Sequence, residues 1–355
     1  MALENTPMSD VAPLDSGKLS GLRGRISFID LMQSVGLLAI ILLGGSIMSV
    51  LSPVFATMRN IENVLQSATI IAVVAIGQTF VILVAGIDLS VASVLVLSSV
   101  LSVGLVQFQG FSPEIGVLVA LLVGLGVGLV NGLAVTKLRI PALIATLATM
   151  TIGRGMAYIY SGGTNIAPVP QFFVDLQAAR LFGIPAVIVL TLALAVIAQV
   201  VLSRTSFGRS VYATGGNPLA ARLAGINTER VIIIAFMISG LMSAIAGLLI
   251  TARFEAGAAT AAQGLELAVI AAVVIGGVSL FGGEGNIGSM LLGVLLLGLV
   301  QNSVNLLNVP PNWDSVVSGL VIAAAAALDV YRRSYLESGM RKKVIATKVA
   351  KSRKV

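Results

Sequence analysis

The chain has 355 residues, of which 57% are hydrophobic and only 10% are charged, whereas a soluble domain carries about 25% charged residues. The absence of Cys and His excludes disulfides, a cysteine nucleophile, and the commonest catalytic base and metal ligand. The basic excess, 22 Lys and Arg against 15 Asp and Glu, lies between apolar runs, which indicates membrane orientation and not nucleic-acid binding.

Residues 1–32 mix acids, bases and Pro13 without an apolar core, unlike a cleaved signal peptide, so we expect a retained cytoplasmic tail. A transmembrane domain is predicted over 33–331, followed by a basic cytoplasmic tail over 332–355. A helix needs about 20 apolar residues to cross the hydrocarbon. We predict an all-α polytopic membrane protein of about ten transmembrane helices, near residues 33–53, 63–85, 89–108, 115–136, 141–160, 184–203, 231–253, 266–281, 287–306 and 314–331.

Ten spans place both termini on one side of the membrane. If that side is the cytoplasm, both tails and the segments 137–140 and 204–230 are inside and carry most of the basic residues. Only Arg59, Arg180 and Arg253 then lie outside. The positive-inside rule therefore supports this orientation.

A weak internal repeat relates residues 86–93 to residues 282–289. Both segments place glycine, an acid, an aliphatic residue and a serine at matching offsets between two apolar helices. Duplicated halves with interrupted helices are a trait of transporters. Two glycine-rich turns that are alike by chance are the alternative.

Asp88 is the most conspicuous polar residue, because it separates two charge-free runs with no loop of useful length. It either caps the N-terminus of the next helix or acts in a gate or solute pathway. Glu284, with Asn286, precedes the ninth helix and is open to the same two interpretations. Arg154 is placed in the outer half of its helix, where it either reaches the interface or pairs with an acid such as Glu266, Asp314, Asp175 or Glu255.

The segment 217–225 in the longest cytoplasmic loop reads as a complete short helix. Asn217 suits the cap, Pro218 the first turn, and Gly225 a left-handed end. Such a helix either lies on the lipid surface or docks to a partner.

Several motifs together resemble the ribose-type membrane permease of bacterial ABC importers for monosaccharides. They extend in family order from about residue 60 to 331, and Ala92 departs from the pattern where glycine is common. They are 77–91, 131–132, 136–141, 144–147, 153–155, 160–163, 208–209, 212–213, 215–217, 276–280 and 282–283.

This resemblance implies that residues 33–331 form a permease domain and that the chain is a transport subunit, not an enzyme. It implies three partners besides membrane lipid: a cytoplasmic ABC ATPase, a periplasmic sugar-binding protein, and a second permease copy or paralogue. Ala220, Ala221 and Gly225 match the family's ATPase-coupling loop, which Asn217 and Pro218 begin. The sequence contains no G-x-x-x-x-G-K-[ST] phosphate loop, so we expect no cofactor in this chain and ATP on the partner ATPase.

A sugar carries many hydroxyls and no charge, so its route should offer amides and hydroxyls at low net charge. The same groups also serve as hydrogen bonds between membrane helices. The candidate pathway or gating residues are Asp88, Ser90, Gln78, Thr79, Glu284, Asn302 and Asn305, and further polar candidates are Gln66, Ser93, Thr146 and Ser243.

Two other functions fit parts of the sequence. An ion-coupled secondary transporter of a small polar solute would use Asp88 and Glu284 as coupling carboxylates. An intramembrane aspartyl hydrolase would need a second carboxylate beside Asp88. The solute itself, whether pentose, hexose, polyol or a furanosyl signal molecule, cannot be read from the chain, because the binding protein that the resemblance implies selects it.

Overall fold

A computed structural model of the protein describes residues 35–307 together with residues 309, 310, 313, 316, 319, 320 and 323. Both predicted tails, 1–32 and 332–355, and most of the tenth predicted helix, 314–331, lie outside the described residues. The elements are α1 Val35–Leu51, α2 Met58–Leu83, α3 Val91–Gln109, α4 Pro113–Thr136, α5 Ala142–Ser161, α6 Gln171–Ala178, β1 Arg180–Leu181, β2 Ile184–Pro185, α7 Ala186–Arg204, α8 Ser206–Gly216, α9 Pro218–Leu223, α10 Thr228–Phe254, α11 Leu265–Ile275 and α12 Ile287–Leu306.

The predicted all-α class is confirmed, with one two-stranded hairpin, β1–β2, between α6 and α7. In the described part, seven helices are long and apolar enough to cross a membrane: α2, α3, α4, α5, α7, α10 and α12. Helix α1 is slightly shorter, at Val35–Leu51. Each of these eight helices corresponds to one predicted span.

The eighth predicted span, 266–281, is wrong in its extent. Helix α11 has 11 residues and ends at Ile275, so it rises about 16 Å through a hydrocarbon core of about 30 Å. Gly276, the C-terminal cap residue, is still right-handed, and Gly277 follows it with a left-handed φ of 90°. The apolar composition continues past Ile275, but the helix ends at this pair of glycines.

The described helix ends fall on two opposite faces. Lys137, after α4, pairs with Glu229 in the first turn of α10 at 2.6 Å, and α9 lies on this same face. On the other face Tyr160, near the end of α5, donates to Gln109 at the end of α3. The segments predicted to be cytoplasmic, 137–140 and 204–230, thus share one face, which we call the α9 face.

Helix α10 forms the centre of the bundle and packs against α2, α3 and α4. Its contact with α4 depends on the small buried residues Gly124, Gly128 and Gly132 of α4. Gly116 of the same helix lies instead against Ser102 of α3. A Cβ at Gly128 would overlap the Phe236 carbonyl group of α10. Small residues let membrane helices approach closely, where van der Waals contact replaces the hydrophobic effect.

The two segments of the predicted internal repeat occupy equivalent positions. Ser90 is the N-terminal cap residue of α3 and Asn286 that of α12, at matching offsets in the two segments. Asn286 makes the cap bond by accepting from the Ser289 N–H at 2.9 Å, whereas the Ser90 side chain makes none. The second segment also contacts the end of α2, since Gly283 N–H donates to the Leu83 carbonyl at 2.9 Å.

Candidate functional site

Asp88 is buried, at 1% exposure, in the short connection between α2 and α3. Its Oδ1 accepts from the Ser90 N–H at 2.9 Å and from Ser90 Oγ at 2.6 Å. Its Oδ2 accepts from Ser239 Oγ of α10 at 2.8 Å. Asp88 therefore does not cap α3, because its carboxylate binds the cap residue itself and a second helix.

The side chain of Gln78 also binds the connection between α2 and α3. Its amide pairs with the main chain of Asp88, donating to the carbonyl at 3.1 Å and accepting from the N–H at 3.2 Å. Asn131 of α4 donates to Ser90 Oγ at 2.9 Å. Thr146 of α5 donates to the Ile87 carbonyl at 3.2 Å. We call Gln78, Asp88, Ser90, Asn131 and Ser239 the Asp88 network, which joins α2, α3, α4 and α10.

The remaining polar candidates act mostly within or between helices. Thr79 donates to the Ala75 carbonyl of its own helix at 2.7 Å. Ser93 and Ser243 likewise donate to carbonyls three and four residues earlier, those of Ser90 and Ser239. Gln66 accepts from Gln177 of α6 at 2.9 Å.

The two acids proposed as an ion-coupling pair differ in environment. Glu284 is exposed in the loop before α12, while Asp88 is buried. The described contacts of the Asp88 carboxylate are hydroxyls and a main-chain N–H, with no second carboxylate. Arg154 donates to the Ala262 carbonyl at 3.2 Å, and no described acid pairs with it.

Helix α9 forms as the loop sequence predicts. Asn217 Oδ1 accepts from the Ala220 N–H at 3.0 Å, Pro218 occupies the first turn, and Gly225 has φ of 83° just beyond the end. Ala221, predicted to face a partner, is instead buried against its own chain at 4% exposure. Its place on the helix faces inward, whereas Ala220 is exposed. The outward face presents Leu219, 69% exposed, and Leu223, 83% exposed.

A polar cleft lies between α2 and α12 at the face opposite α9. Its volume is about 300 Å³, and seven polar side chains line it: Asn60, Asn63, Ser67, Arg253, Gln301, Asn302 and Asn305. Asn60 and Asn302 form a reciprocal amide pair, with N···O distances of 3.0 and 2.9 Å. Arg253, at the end of α10, donates to Ser67 Oγ at 2.8 Å.

The structure divides the predicted pathway residues between two places. Asn302 and Asn305 line the cleft, whereas Asp88, Ser90, Gln78 and Thr79 are buried elsewhere. Sequence reasoning missed Asn60, Asn63 and Ser67, whose spacings of three and four residues place them on one face of α2. It noted Asn131 only as part of a family motif and missed Ser239, and both are isolated polar residues in apolar runs. In the described part of the chain no three His, Cys, Asp or Glu residues cluster as a metal site would require.

Comparison with known proteins identifies the family. Residues 60–326 match the family described as the permease component of the branched-chain amino acid transport system. The ribose import permease protein RbsC of Bacillus subtilis (strain 168) is 41% identical over 308 residues, 86% of this chain and 95% of the relative. No solved structure matches the chain.

Two relatives are arabinose permeases. The L-arabinose transport system permease protein AraH of Escherichia coli (strain K12) is 41% identical over 326 residues, 92% of this chain and 98% of the relative. The L-arabinose ABC transporter permease protein AraH of Azospirillum brasilense is 36% identical over 91% of this chain and 95% of the relative. The resemblance inferred from the sequence motifs is confirmed, and the chain belongs to this family of membrane permease subunits of transport systems.

Proposed function

We propose that this permease subunit belongs to an ABC importer and translocates an uncharged monosaccharide or a related polyol. The observation that carries the proposal is similarity to ribose and arabinose permeases over nearly the whole of both chains. The amide-lined cleft agrees with it, because amides donate and accept hydrogen bonds as sugar hydroxyls do.

Helix α9 is the proposed docking element for a cytoplasmic ABC ATPase. Leu219 and Leu223 form an apolar ridge on a short helix outside the bundle, and burial against a partner would remove both from water. ATP is then bound and hydrolysed by that partner, with no cofactor in this chain. Helix α8 leads directly into α9, and Tyr212 of α8 donates to the Gly285 carbonyl at 2.7 Å. Motion of α9 would thus reach the loop before α12.

The proposed orientation places the α9 face in the cytoplasm of a bacterial inner membrane, with both termini on that side. Basic residues support it: Lys137, Arg139, Arg204, Arg209, Arg222 and Arg230 belong to segments of the α9 face. Only Arg59, Arg180 and Arg253 mark the ends of spans on the other face. A periplasmic sugar-binding protein would deliver solute to that outer face, and a second permease copy or paralogue would complete the membrane unit.

The ion-coupled alternative has less support. It needs two comparable carboxylates, yet Glu284 is exposed and Asp88 is bound by serines. It also assigns no role to the exposed leucines of α9.

The proposal is tested by uptake in the native cells. The gene is deleted and restored on a plasmid, and entry of labelled ribose, arabinose, galactose and other neutral sugars is measured. We expect one or more sugars whose uptake depends on the gene, survives an uncoupler of the proton gradient and stops on ATP depletion. Uptake abolished by the uncoupler at normal ATP levels would favour the ion-coupled alternative.

A further inference from the structure

We infer that the cleft between α2 and α12 is a solute-binding site on the translocation route, with Asn60 and Asn302 as hydroxyl-recognising residues and Arg253 as the residue that discriminates against cationic solutes. This inference rests on the proposed function and names the site at which its solute is recognised.

The polar side chains of the cleft are incompatible with hydrocarbon. Asn63, Ser67 and Asn305 are exposed at the surface of the described chain, on helices that are long and apolar enough to span a membrane. Exposed amides and a cation in lipid would lose their hydrogen bonds with water and gain none in return. This face of α2 and α12 therefore borders water or a polar partner.

The amides of the cleft match the chemistry of a polyol. Within the Asn60–Asn302 pair each amide donates one bond to the other and accepts one from it. Asn60 Nδ2 also donates to the Phe55 carbonyl at 2.9 Å. A sugar carrying neighbouring hydroxyls can replace each of these bonds with an equivalent one. The volume of about 300 Å³ lies at the lower limit of ligand pockets, which suits a small solute.

Arg253 sets the charge of the cleft. It is a partly buried cation, and the lining contains no Asp or Glu. Among the described residues its guanidinium is bound to Ser67 alone and belongs to neither ion pair. Its remaining donors are available to hydroxyl oxygens of a solute. Like-charge repulsion in a site of low dielectric would exclude cationic solutes such as amino sugars.

Cysteine accessibility tests the site without requiring transport, since the chain contains no native Cys. Asn63→Cys and Asn305→Cys are exposed in intact cells to two membrane-impermeant thiosulfonates, one anionic and one cationic. The matched controls are Val196→Cys, on an exposed apolar position of α7, and Thr164→Cys, in an exposed loop of the outer face.

We expect both cleft cysteines to react from outside while Val196→Cys stays unlabelled. The ratio of the labelling rate with the anionic reagent to that with the cationic reagent should be severalfold higher for the cleft cysteines than for Thr164→Cys. Adding Arg253→Gln should return this ratio to the value for Thr164→Cys. Cleft cysteines that resist both reagents, or a ratio unaffected by Arg253→Gln, would overturn the inference.

Solute recognition is measured separately with Asn302→Leu, which removes one amide of the cleft and leaves Asn60 bound only to the Phe55 carbonyl. We expect uptake of the transported sugar to fall about tenfold or more, while Ser303→Ala, whose hydroxyl bonds only the Leu299 carbonyl of its own helix, transports normally. Membrane insertion of Asn302→Leu is checked by labelling an added Thr164→Cys. Normal uptake in the Asn302→Leu variant would count against the site. Wild-type cells in which no sugar uptake depends on the gene would instead refute the proposed function, whatever the labelling result.

Discussion

Asp88 and Ser239 lie 151 residues apart in the chain and are joined by a buried hydrogen bond of 2.8 Å between carboxylate and hydroxyl. The bond ties the connection between α2 and α3 to the central helix α10. A third group, the Ser90 hydroxyl, binds the other carboxylate oxygen and receives a bond from Asn131. The connection is consequently held from both sides by buried hydrogen bonds.

Two replacements of Asp88 distinguish the loss of its negative charge from the loss of its hydrogen-bond acceptors. Asp88→Asn keeps one acceptor for Ser90, and the Ser239 hydroxyl can turn to accept from the new amide, so we expect most transport to remain. Asp88→Leu leaves the Ser90 N–H buried without a partner, which costs about 1–3 kcal/mol, and its melting temperature in detergent should fall. An Asp88→Asn variant that inserts normally but does not transport would assign Asp88 to gating.

The α4–α10 contact predicts a pair of glycine variants with opposite outcomes. Gly128→Ala forces its Cβ against the Phe236 carbonyl, and such overpacking costs about 1–3 kcal/mol. Gly126→Ala, two residues earlier on the same helix, has open space around its Cβ and should be neutral or stabilising, by up to about 1 kcal/mol. Thermal unfolding followed by size-exclusion chromatography compares the two. Equal stability would show that the close approach of the helices is not required.

The exposed apolar ridge of α9 predicts which substitutions weaken docking of the ATPase. Leu223→Asp places a charge on the outward face and should abolish co-purification of the ATPase and reduce uptake about tenfold or more, with normal insertion. Leu223→Ala, which only reduces the apolar surface of the ridge, should retain part of the co-purification and part of the uptake. Co-purification unaffected by Leu223→Asp would favour an α9 that lies on the membrane surface.

Ala221→Glu is expected to act differently, because Ala221 is buried against the bundle. The longer charged side chain cannot fit there, so α9 itself should detach. Limited proteolysis of the purified protein would then cleave the 217–227 region faster than in Leu223→Asp. Equal cleavage rates would contradict the inward position of Ala221.

The proposed orientation of the protein in the membrane can be tested at two exposed positions on opposite faces. Thr164→Cys and Ala224→Cys are both exposed in the structure. Thr164→Cys should react with an impermeant thiol reagent in intact cells, and Ala224→Cys should react only after the membrane is opened. Thr228 is unsuitable, because it is 2% exposed and accepts a bond from Arg222. Labelling of Ala224→Cys from outside would reverse the proposed orientation.

The sequence predicted the long helices because each is a single apolar run that must satisfy its main chain internally in a membrane. It predicted α9 because the cap, the proline and the terminal glycine are local signals. It could not reveal that Ala221 faces inward, since both faces of this six-residue helix carry apolar residues. The burial of Ala221 depends on how the helix rotates against the bundle.

The polar residues were harder to assign. Asn302 and Gln78 are both amides in apolar runs, yet one borders a cleft and the other pairs with the main chain of a loop. The difference arises from neighbours more distant in sequence, such as Asn60, 242 residues away from Asn302. Likewise the end of α11 depends on glycine conformations that hydropathy does not register.

The shortness of α11 has a consequence for biosynthesis. The chain on either side of α11 is not helical, and two main-chain N–H groups in these flanking segments donate to residues distant in sequence: Ala258 N–H to Ser99 Oγ at 2.9 Å, and Gly283 N–H to the Leu83 carbonyl at 2.9 Å. These acceptors belong to α3 and α2, which emerge from the ribosome much earlier. The 255–286 segment therefore cannot enter the bilayer as an independent unit, and its insertion must follow assembly of the helices that precede it.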